Sequence, residues 1–435
     1  MTLTGWGRYA RYPAPLSQPA PGDLASALAG GPVIARGAGR SYGDAAISLR
    51  RTVGTGRLNR MIAFDEAEGL LVAESGVTLG EIVEVFLPRG WFPMVTPGTK
   101  TVTLGGAIAS DVHGKNHHRD GAFRASVAWF DLLGPDGTTQ RCSGQENAEL
   151  FDWTLGGMGL TGIVTRAAIR LRRVESGWIR QTTLPCADLD AVMRAFDTHA
   201  SATYSVAWID CLARGPHRGR ALLMLGEHAG RAEIGARAPF PPARRTRTLP
   251  VDLPSGLLNG WTARAFNAAY WRRGKAAAGS RLVDWDGFFY PLDAILGWNR
   301  AYGRKGFVQF QCALPDAGAR VGLSALLDAI ARSGTGSFLA VLKRMGVAEG
   351  AFSFPMKGYT LALDFPATRR ALQLIDRLDR IVLDHGGRFY LAKDARMTAE
   401  TLHAADPRAA RLREMRARSG LSDAFRSVQS ERLAL

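Results

Sequence analysis

The sequence predicts an α+β fold in two domains, on three observations. Its 435 residues are enough for about two cores. Hydrophobic residues make up 46% and charged residues 22%, which excludes disorder as the main state. Up to about residue 175 short strands mix with short helices. From 176 to 388, alternating strands are interleaved with helices expected at 188–200, 316–332 and 367–385, the pattern of an antiparallel sheet backed by helices.

Residues 1–30, rich in Pro, Ala and Gly, are expected to wrap the surface, with Trp6 as a candidate anchor. A short apolar strand then runs through VIARG, followed by strands at 61–64 and 69–76. Thr78-Leu-Gly-Glu81 is a capping box, in which the hydroxyl and the carboxylate satisfy free N–H groups, and its helix should end near Gly90. Gly105 and Gly106 open another short helix. Residues 127–143 read as two strands joined at Pro135-Asp136-Gly137, Glu149–Trp153 as a helix, and 162–174 as a half-buried strand. In the second domain, strands are expected at SVAWIDCL and RALLMLGEH, at 306–314, 338–346 and 358–365. The alternation at 306–314 places Gln309 and Gln311 on one face. Residues 236–254 carry five prolines and four arginines, so they cannot hold a helix or a central strand and should form an exposed loop. That loop is a candidate cover for an active site or contact to acidic lipid. FNAAYWRRG and Phe288-Phe289-Tyr290 suit either a prenyl phosphate or a core. After YLAKDAR, at 390–396, the tail is helical.

Two glycine loops carry the chemistry. PVIARGAGRSYGD (32–44) sends a strand into Gly37, Gly39 and Gly43, with Arg36 and Arg40 beside them. TPGTKTVTLGGAIASDVHGKNHH (96–118) puts glycines at the mouth of a helix. Glycine lets backbone N–H groups approach an anion closely, and the helix dipole and guanidinium groups favour negative charge there. A phosphate-bearing cofactor is implied. The spacing is not the GxGxxG of a nicotinamide Rossmann fold, because Arg40, Ser41 and Tyr42 fill the next positions.

The net charge of +16 reads either as a solvated basic surface, with Arg spread along the chain, or as attraction to anions. No nucleic-acid module signature is present, so nucleic acid is ranked low and a phosphate-carrying lipid at a membrane surface fits better. Cys142, Cys186, Cys211 and Cys312 are scattered, without metal-site spacing, and read as reduced thiols. Adjacent histidines such as His117 and His118 rarely converge on one centre, so no metal is expected. The N-terminus lacks an apolar signal core and no run of about 18 apolar residues occurs, which predicts a cytoplasmic protein, at most peripheral to the inner face of the membrane.

RGAGRSYGD and GGAIASDVHGKNHH, followed by GGMGLTGIVT (156–165) and YLAKDAR, resemble the vanillyl-alcohol-oxidase-type FAD flavoproteins over nearly the whole chain. Within that family the resemblance is strongest to the oxidases of polyprenyl-phosphoryl ribose. It implies an FAD-binding domain of two small α/β subdomains at 1–175, rejoined by 389–435, with a substrate domain at 176–388 inserted. The FAD-binding set is then Arg36, Gly37, Ala38, Gly39, Arg40, Ser41, Tyr42 and Gly43 on the first loop. On the second it is Gly98, Thr103, Leu104, Gly105 and Gly106, then Ser110, Asp111, Val112, His113 and Gly114, with His113 against the isoalloxazine. Ile163 lies by the adenine and Tyr390 contacts the flavin. Lys393 is the catalytic lysine, and Lys115, Gln311 and Lys343 line the substrate pocket, the lysines meeting a phosphodiester-like charge.

Alcohol oxidation needs a group that manages the hydroxyl proton, and Lys393 is that candidate. It acts as a base if burial or neighbouring charge lowers its pKa, or as a stabiliser of the alkoxide if it stays charged. Many relatives tether FAD through a histidine where this chain has Arg40, so non-covalent FAD is expected. Related mycobacterial oxidases carry a cysteine at the position of Ala362 and an asparagine at that of Thr360. The implied activity is oxidation of the 2′-hydroxyl to a keto sugar, with a separate nicotinamide-dependent reductase completing epimerisation to arabinose. Two alternatives remain: an oxidase of another sugar or alditol on the same fold, and a basic nucleic-acid or membrane-binding protein whose glycine loops are only turns.

Overall fold

Three sheets of three or more strands, beside two of only two strands, carry the described residues. In the computed structural model, which describes residues 1–254, 256–348 and 350–435, the N-terminal unit is a small parallel sheet of β1 (Leu16–Ser17), β2 (Ile34–Arg36) and β3 (Thr52–Gly54), in the order β1–β3–β2. Next comes an antiparallel sheet. Its strands are β4 (Met61–Asp65), β5 (Leu70–Glu74), β6 (Trp91–Pro93), β7 (Val127–Leu133), β8 (Thr139–Ser143) and β9 (Ile163–Arg173). They run β8–β7–β9–β5–β4, and β6 pairs with the far end of β9. Helix α1 (Leu79–Phe86) has the expected capping box, and Gly90 ends it in the left-handed conformation at φ +82°. Helix α2 (Leu104–Ala109) is capped by Thr103, whose hydroxyl accepts from the Gly106 N–H, and α3 (Ala148–Thr154) follows β8.

The second domain is one antiparallel sheet of eight strands. In chain order these are β10 (Trp178–Cys186), β11 (Tyr204–Ile209), β12 (Ala221–His228), β13 (Gly279–Asp284), β14 (Phe307–Pro315), β15 (Ala340–Met345), β16 (Gly358–Pro366) and β17 (Arg388–Phe389). Across the sheet the order is β13–β10–β12–β11–β15–β16–β14–β17. Helices α4 (Leu189–Thr198), α7 (Asp316–Ser333) and α8 (Arg369–Asp384) back one face. There Cys312, Leu314, Leu342, Leu361 and Leu363 join the largest core. Helix α5 (Gly260–Ala276) lies on the opposite face, where Gly274 sits so close to Leu222 that a Cβ would collide with it. The short α6 (Trp285–Phe289) follows β13. The register puts Gln309, Gln311, Thr360, Ala362, Asp364, Val341, Lys343, Val206, Trp208 and Met224 together on that second face.

The tail forms α9 (Ala399–Ala405), α10 (Arg408–Arg418) and α11 (Val428–Arg432) and packs back on the N-terminal unit. Val33 bridges Phe425, and the Val428 N–H donates to the Ile47 carbonyl at 2.8 Å. Arg432 ties Asp44 at 2.7 Å to Asp394 at 2.8 Å, which fixes the first glycine loop to the YLAKDAR segment. The Pro/Arg stretch is mostly exposed, as expected of a loop. It is nonetheless tied down, by a two-residue bridge of Arg247–Thr248 to Ile295–Leu296 and by an Arg244–Asp284 ion pair at 2.6 Å. All four cysteines are buried and free.

Candidate active site

Strand β2 leads into a loop that has no room for side chains. A Cβ on Gly37 would collide with the Thr103 hydroxyl, and one on Gly43 with the Asp394 carbonyl, so the loop backbone meets the Thr103 side chain at the mouth of α2 on one side and the YLAKDAR backbone on the other. The Tyr42 N–H donates to the Ala392 carbonyl at 2.9 Å, and the Trp6 N–H to the Ser41 carbonyl at 2.8 Å. The N-terminal strap therefore belongs to the site, with the Arg40 guanidinium 4.3 Å over the Trp6 ring. The turn after α2 bends through Asp111, at φ +37°. Its carboxylate accepts from the Arg124 N–H at 2.8 Å and from Ser353, and burial raises its pKa to about 6.

These elements enclose a cavity of about 600 Å³ that continues along the second face of the eight-stranded sheet. Such a volume lies in the usual range of cofactor and ligand sites, about 300 to 1,000 Å³. Gly37, Ala38, Gly39, Arg40, Ser41 and Tyr42 line one end, with Gly98, Thr103, Gly105, Gly106, Ser110, Val112, His113 and Gly114. Tyr390, Lys393, Lys115, Gln311 and Lys343 line the middle. Arg36, Gly43, Leu104, Asp111 and Ile163 stand behind the wall instead. Arg36 donates to the Thr4 carbonyl at 2.8 Å and the Ala46 carbonyl at 3.3 Å, so its fork staples the loop and does not face an anion. Ile163 is fully buried in core.

The polar lining is a network with open ends. The Gln311 amide donates to His113 Nε2 at 3.0 Å and to the Thr360 hydroxyl at 3.2 Å, and that hydroxyl donates to the Cys312 carbonyl at 2.8 Å. Tyr390 donates to the Ser110 carbonyl at 2.9 Å, and its ring stacks on Phe354 with centroids 4.7 Å apart. His113 Nδ1, Arg40 Nε, Ser75 Oγ and Asp364 Oδ2 are buried with no partner among the described residues. Buried polar atoms are normally paired. The Arg40, His113 and Ser75 donors left open on a glycine-lined cavity fit a bound group rich in acceptors, such as a flavin carrying a pyrophosphate.

Charge in the middle of the cavity is dominated by amines. Lys115, Lys343 and Lys393 are half-buried because each faces the cavity instead of packed protein. Burial, then the charge of Lys343, lowers Lys115 to about 7; burial, then Lys393, lowers Lys343 to about 7. Burial also lowers Lys393, opposed by Asp364, whose own carboxyl burial raises. Lys393 Nζ sits 4.0 Å over the Tyr42 ring, and Gln309 donates to Asp364. His113 is pushed well below its ordinary value by burial and by Lys343, His117 and Lys393, so it stays neutral. No three His, Cys, Asp or Glu among the described residues are grouped to hold a metal.

Sequence reasoning missed Ser75, Val206, Trp208 and Met224 as lining residues, and Asp364 as the buried carboxylate beside Lys393. Period-two alternation marks each strand face, yet only the pairing register shows that these faces are one surface. Lys100 is a second omission. Its ion pair to Asp286 at 2.6 Å, with the Asp293 carboxylate accepting from the Lys100 N–H at 2.8 Å, clamps the second glycine loop to the second domain.

A family model described as an FAD binding domain matches residues 25–143. The chain is 37% identical over 422 residues to the decaprenylphosphoryl-β-D-ribose oxidase of Mycolicibacterium smegmatis, covering 93% of this chain and 91% of that protein. It is also 37% identical to an uncharacterised Streptomyces coelicolor protein, over 82% of this chain and all of that one. Bovine L-gulonolactone oxidase is 26% identical over 38% of this chain and 36% of its own length. With this match running nearly end to end and a glycine-lined cavity in the matched region, the chain belongs to the decaprenylphosphoryl-β-D-ribose oxidase family and is an FAD-dependent oxidoreductase of two-domain α+β fold.

Proposed function

We propose that the protein oxidises the 2′-hydroxyl of a polyprenyl-phosphoryl ribose to the keto sugar, the first half of an epimerisation to the arabinose form. The observation that carries this reading is a gradient along one sheet face. Gln309, Gln311 and Lys343 line the end nearest the glycine loops, Val341, Val206, Trp208 and Met224 follow across β15, β11 and β12, and Gln181 and Arg281 close the far edge. A sugar, a phosphate and an apolar chain match that order. A free alditol would leave the apolar half of the floor without a contact.

FAD, when bound, accepts the hydride from the alcohol carbon. Lys393 handles the hydroxyl proton: burial favours its free amine as a base, and Asp364 keeps the ammonium accessible once the proton has moved. Lys115 and Lys343 meet the phosphate, whose charge favours their protonated forms. Gln311, held by the Thr360 hydroxyl, would orient the sugar, and Tyr390, His113 and Ser110 would hold the ring end of the cofactor. The glycine loops would hold the pyrophosphate of the cofactor through their backbone N–H groups. Binding is non-covalent, because Arg40 occupies the position of the tethering histidine. The keto product passes to a separate nicotinamide-dependent reductase. No described helix is long and apolar enough to cross a membrane; in this reading the protein takes its lipid substrate from the membrane surface.

The test is substrate preference. Under anaerobic conditions the yellow protein should bleach with farnesyl-phosphoryl ribose and not with ribitol or xylitol at equal concentration. Bleaching by the free alditols alone would replace this reading with an alditol oxidase.

A further inference from the structure

The cavity continues beneath α5, and the surface at that rim differs in character from the rest. Tyr270 lines the cavity, packs on Trp208 at 4.7 Å and stacks on Phe266 at 5.7 Å. Ile295 and Leu296 line it too, although they are 44% and 46% exposed. Helix α5 buries Ala263, Asn267 and Gly274 toward the sheet. Its opposite stripe, Trp261, Ala265, Ala269, Arg272 and Ala276, is exposed, and Trp261 is 80% exposed.

Charge on this side has one sign. Between residues 244 and 281 the only carboxylate is Asp252, which Arg8 takes. Arg245, Arg247, Arg272, Arg273, Lys275 and Arg281 are exposed and have no ion-pair partner among the described residues. Aromatic and small apolar residues edged by unpaired cations are the composition of a helix that lies in a headgroup layer. Unpaired arginines are complementary to anionic lipid, and a nucleic acid would leave Trp261, Ile295 and Leu296 in water.

The geometry points to this face, α5 with the bridge of 247–248 to 295–296, as a docking surface for a bilayer containing anionic lipid, from which the prenyl chain enters the cavity without crossing water. The inference rests on the polyprenyl-phosphoryl reading of the same cavity. Docked this way, Trp261 and the alanine stripe sit at headgroup depth and the arginines contact phosphates. The chain then runs over Tyr270 and Trp208 toward the lysines.

The experiment is flotation of the FAD-loaded full chain with vesicles of phosphatidylcholine alone and with phosphatidylglycerol added. Two variants are compared, Trp261→Ser and the triple Arg272→Ser/Arg273→Ser/Lys275→Ser; none of these residues lines the cavity. Wild type should float only with the anionic vesicles, and added salt should release it. At about fivefold per cation lost, the triple variant should bind roughly 10²-fold more weakly. Both variants should keep their flavin and their turnover of farnesyl-phosphoryl ribose in solution, while turnover of a long-chain substrate presented in vesicles falls. Flotation independent of lipid charge, variants that float like wild type, or a concentration-dependent dimer that the same substitutions break would each overturn the proposal. Residue-dependent flotation by a protein that oxidises no prenyl-phosphoryl ribose would support the surface and remove the substrate reading.

Discussion

Lys393 faces the cavity from the segment after β17, and Asp364, buried at the end of β16, acts on its charge from behind the wall. Burial lowers the amine and raises the carboxyl, and the attraction between their charges works against both shifts. Removing the carboxylate charge with Asp364→Asn should therefore lower the Lys393 pKa further. If the free amine is the base, the acidic limb of the pH profile for flavin reduction moves to lower pH, by about one unit for a close charge. An unmoved limb would separate Asp364 from the control of Lys393. The lysine itself is readable in the sequence, because YLAKDAR matches a family motif. Asp364 is not: in GYTLALDF an acidic residue near a strand end looks like a solvated one, and only burial to 1% exposure distinguishes it. Arg36 shows the reverse case, a guanidinium beside a glycine loop that is used up on two backbone carbonyls.

Among the elements, α2 couples the two glycine loops. Thr103 caps the helix, and its hydroxyl occupies the space that a Cβ on Gly37 would need. Gly37→Val should push that hydroxyl away, opening the cap and displacing the loop together. We expect about 1 kcal/mol of destabilisation from the cap and loss of most of the bound flavin, read as the ratio of visible to ultraviolet absorbance in the purified protein. A fully loaded Gly37→Val protein would show that the loop does not hold the cofactor. Gly106 is more forgiving, since a Cβ there would meet only Thr103 Oγ1 at 3.1 Å. Most element positions are legible from caps, turn residues and alternation, and α1, α2 and β14 lie where those signals put them. The Pro/Arg stretch was legible as a loop, but its short bridge to 295–296 depends on a partner segment that local sequence does not indicate.

For the molecule as a whole, function depends on two domains sharing one cavity. Residues 1–8, the first glycine loop and the segment 390–395 stack backbone to backbone, Arg432 pins them, and the Lys100–Asp286 pair clamps the second loop to the second domain. The order of the eight strands decides which side chains join the floor. That order comes from long-range pairing, which is why Trp208 and Met224 could not be assigned to the site from the sequence while Gln311 could. The excess positive charge is likewise uninformative as a sum; its unpaired members at 245–281 become a surface only once α5 and the 247–248 bridge are placed around the mouth. The account's central claim is that the cofactor end and the lysine end of this cavity act on one alcohol. The most direct test is single-turnover flavin reduction, under anaerobic conditions, of FAD-loaded wild type and Lys393→Ala with saturating farnesyl-phosphoryl ribose. The variant should keep its flavin spectrum and still bind substrate while its reduction slows by about 10²- to 10⁴-fold, the usual contribution of a positioned proton-transfer group. Reduction at the wild-type rate would contradict the claim and remove Lys393 from the chemistry.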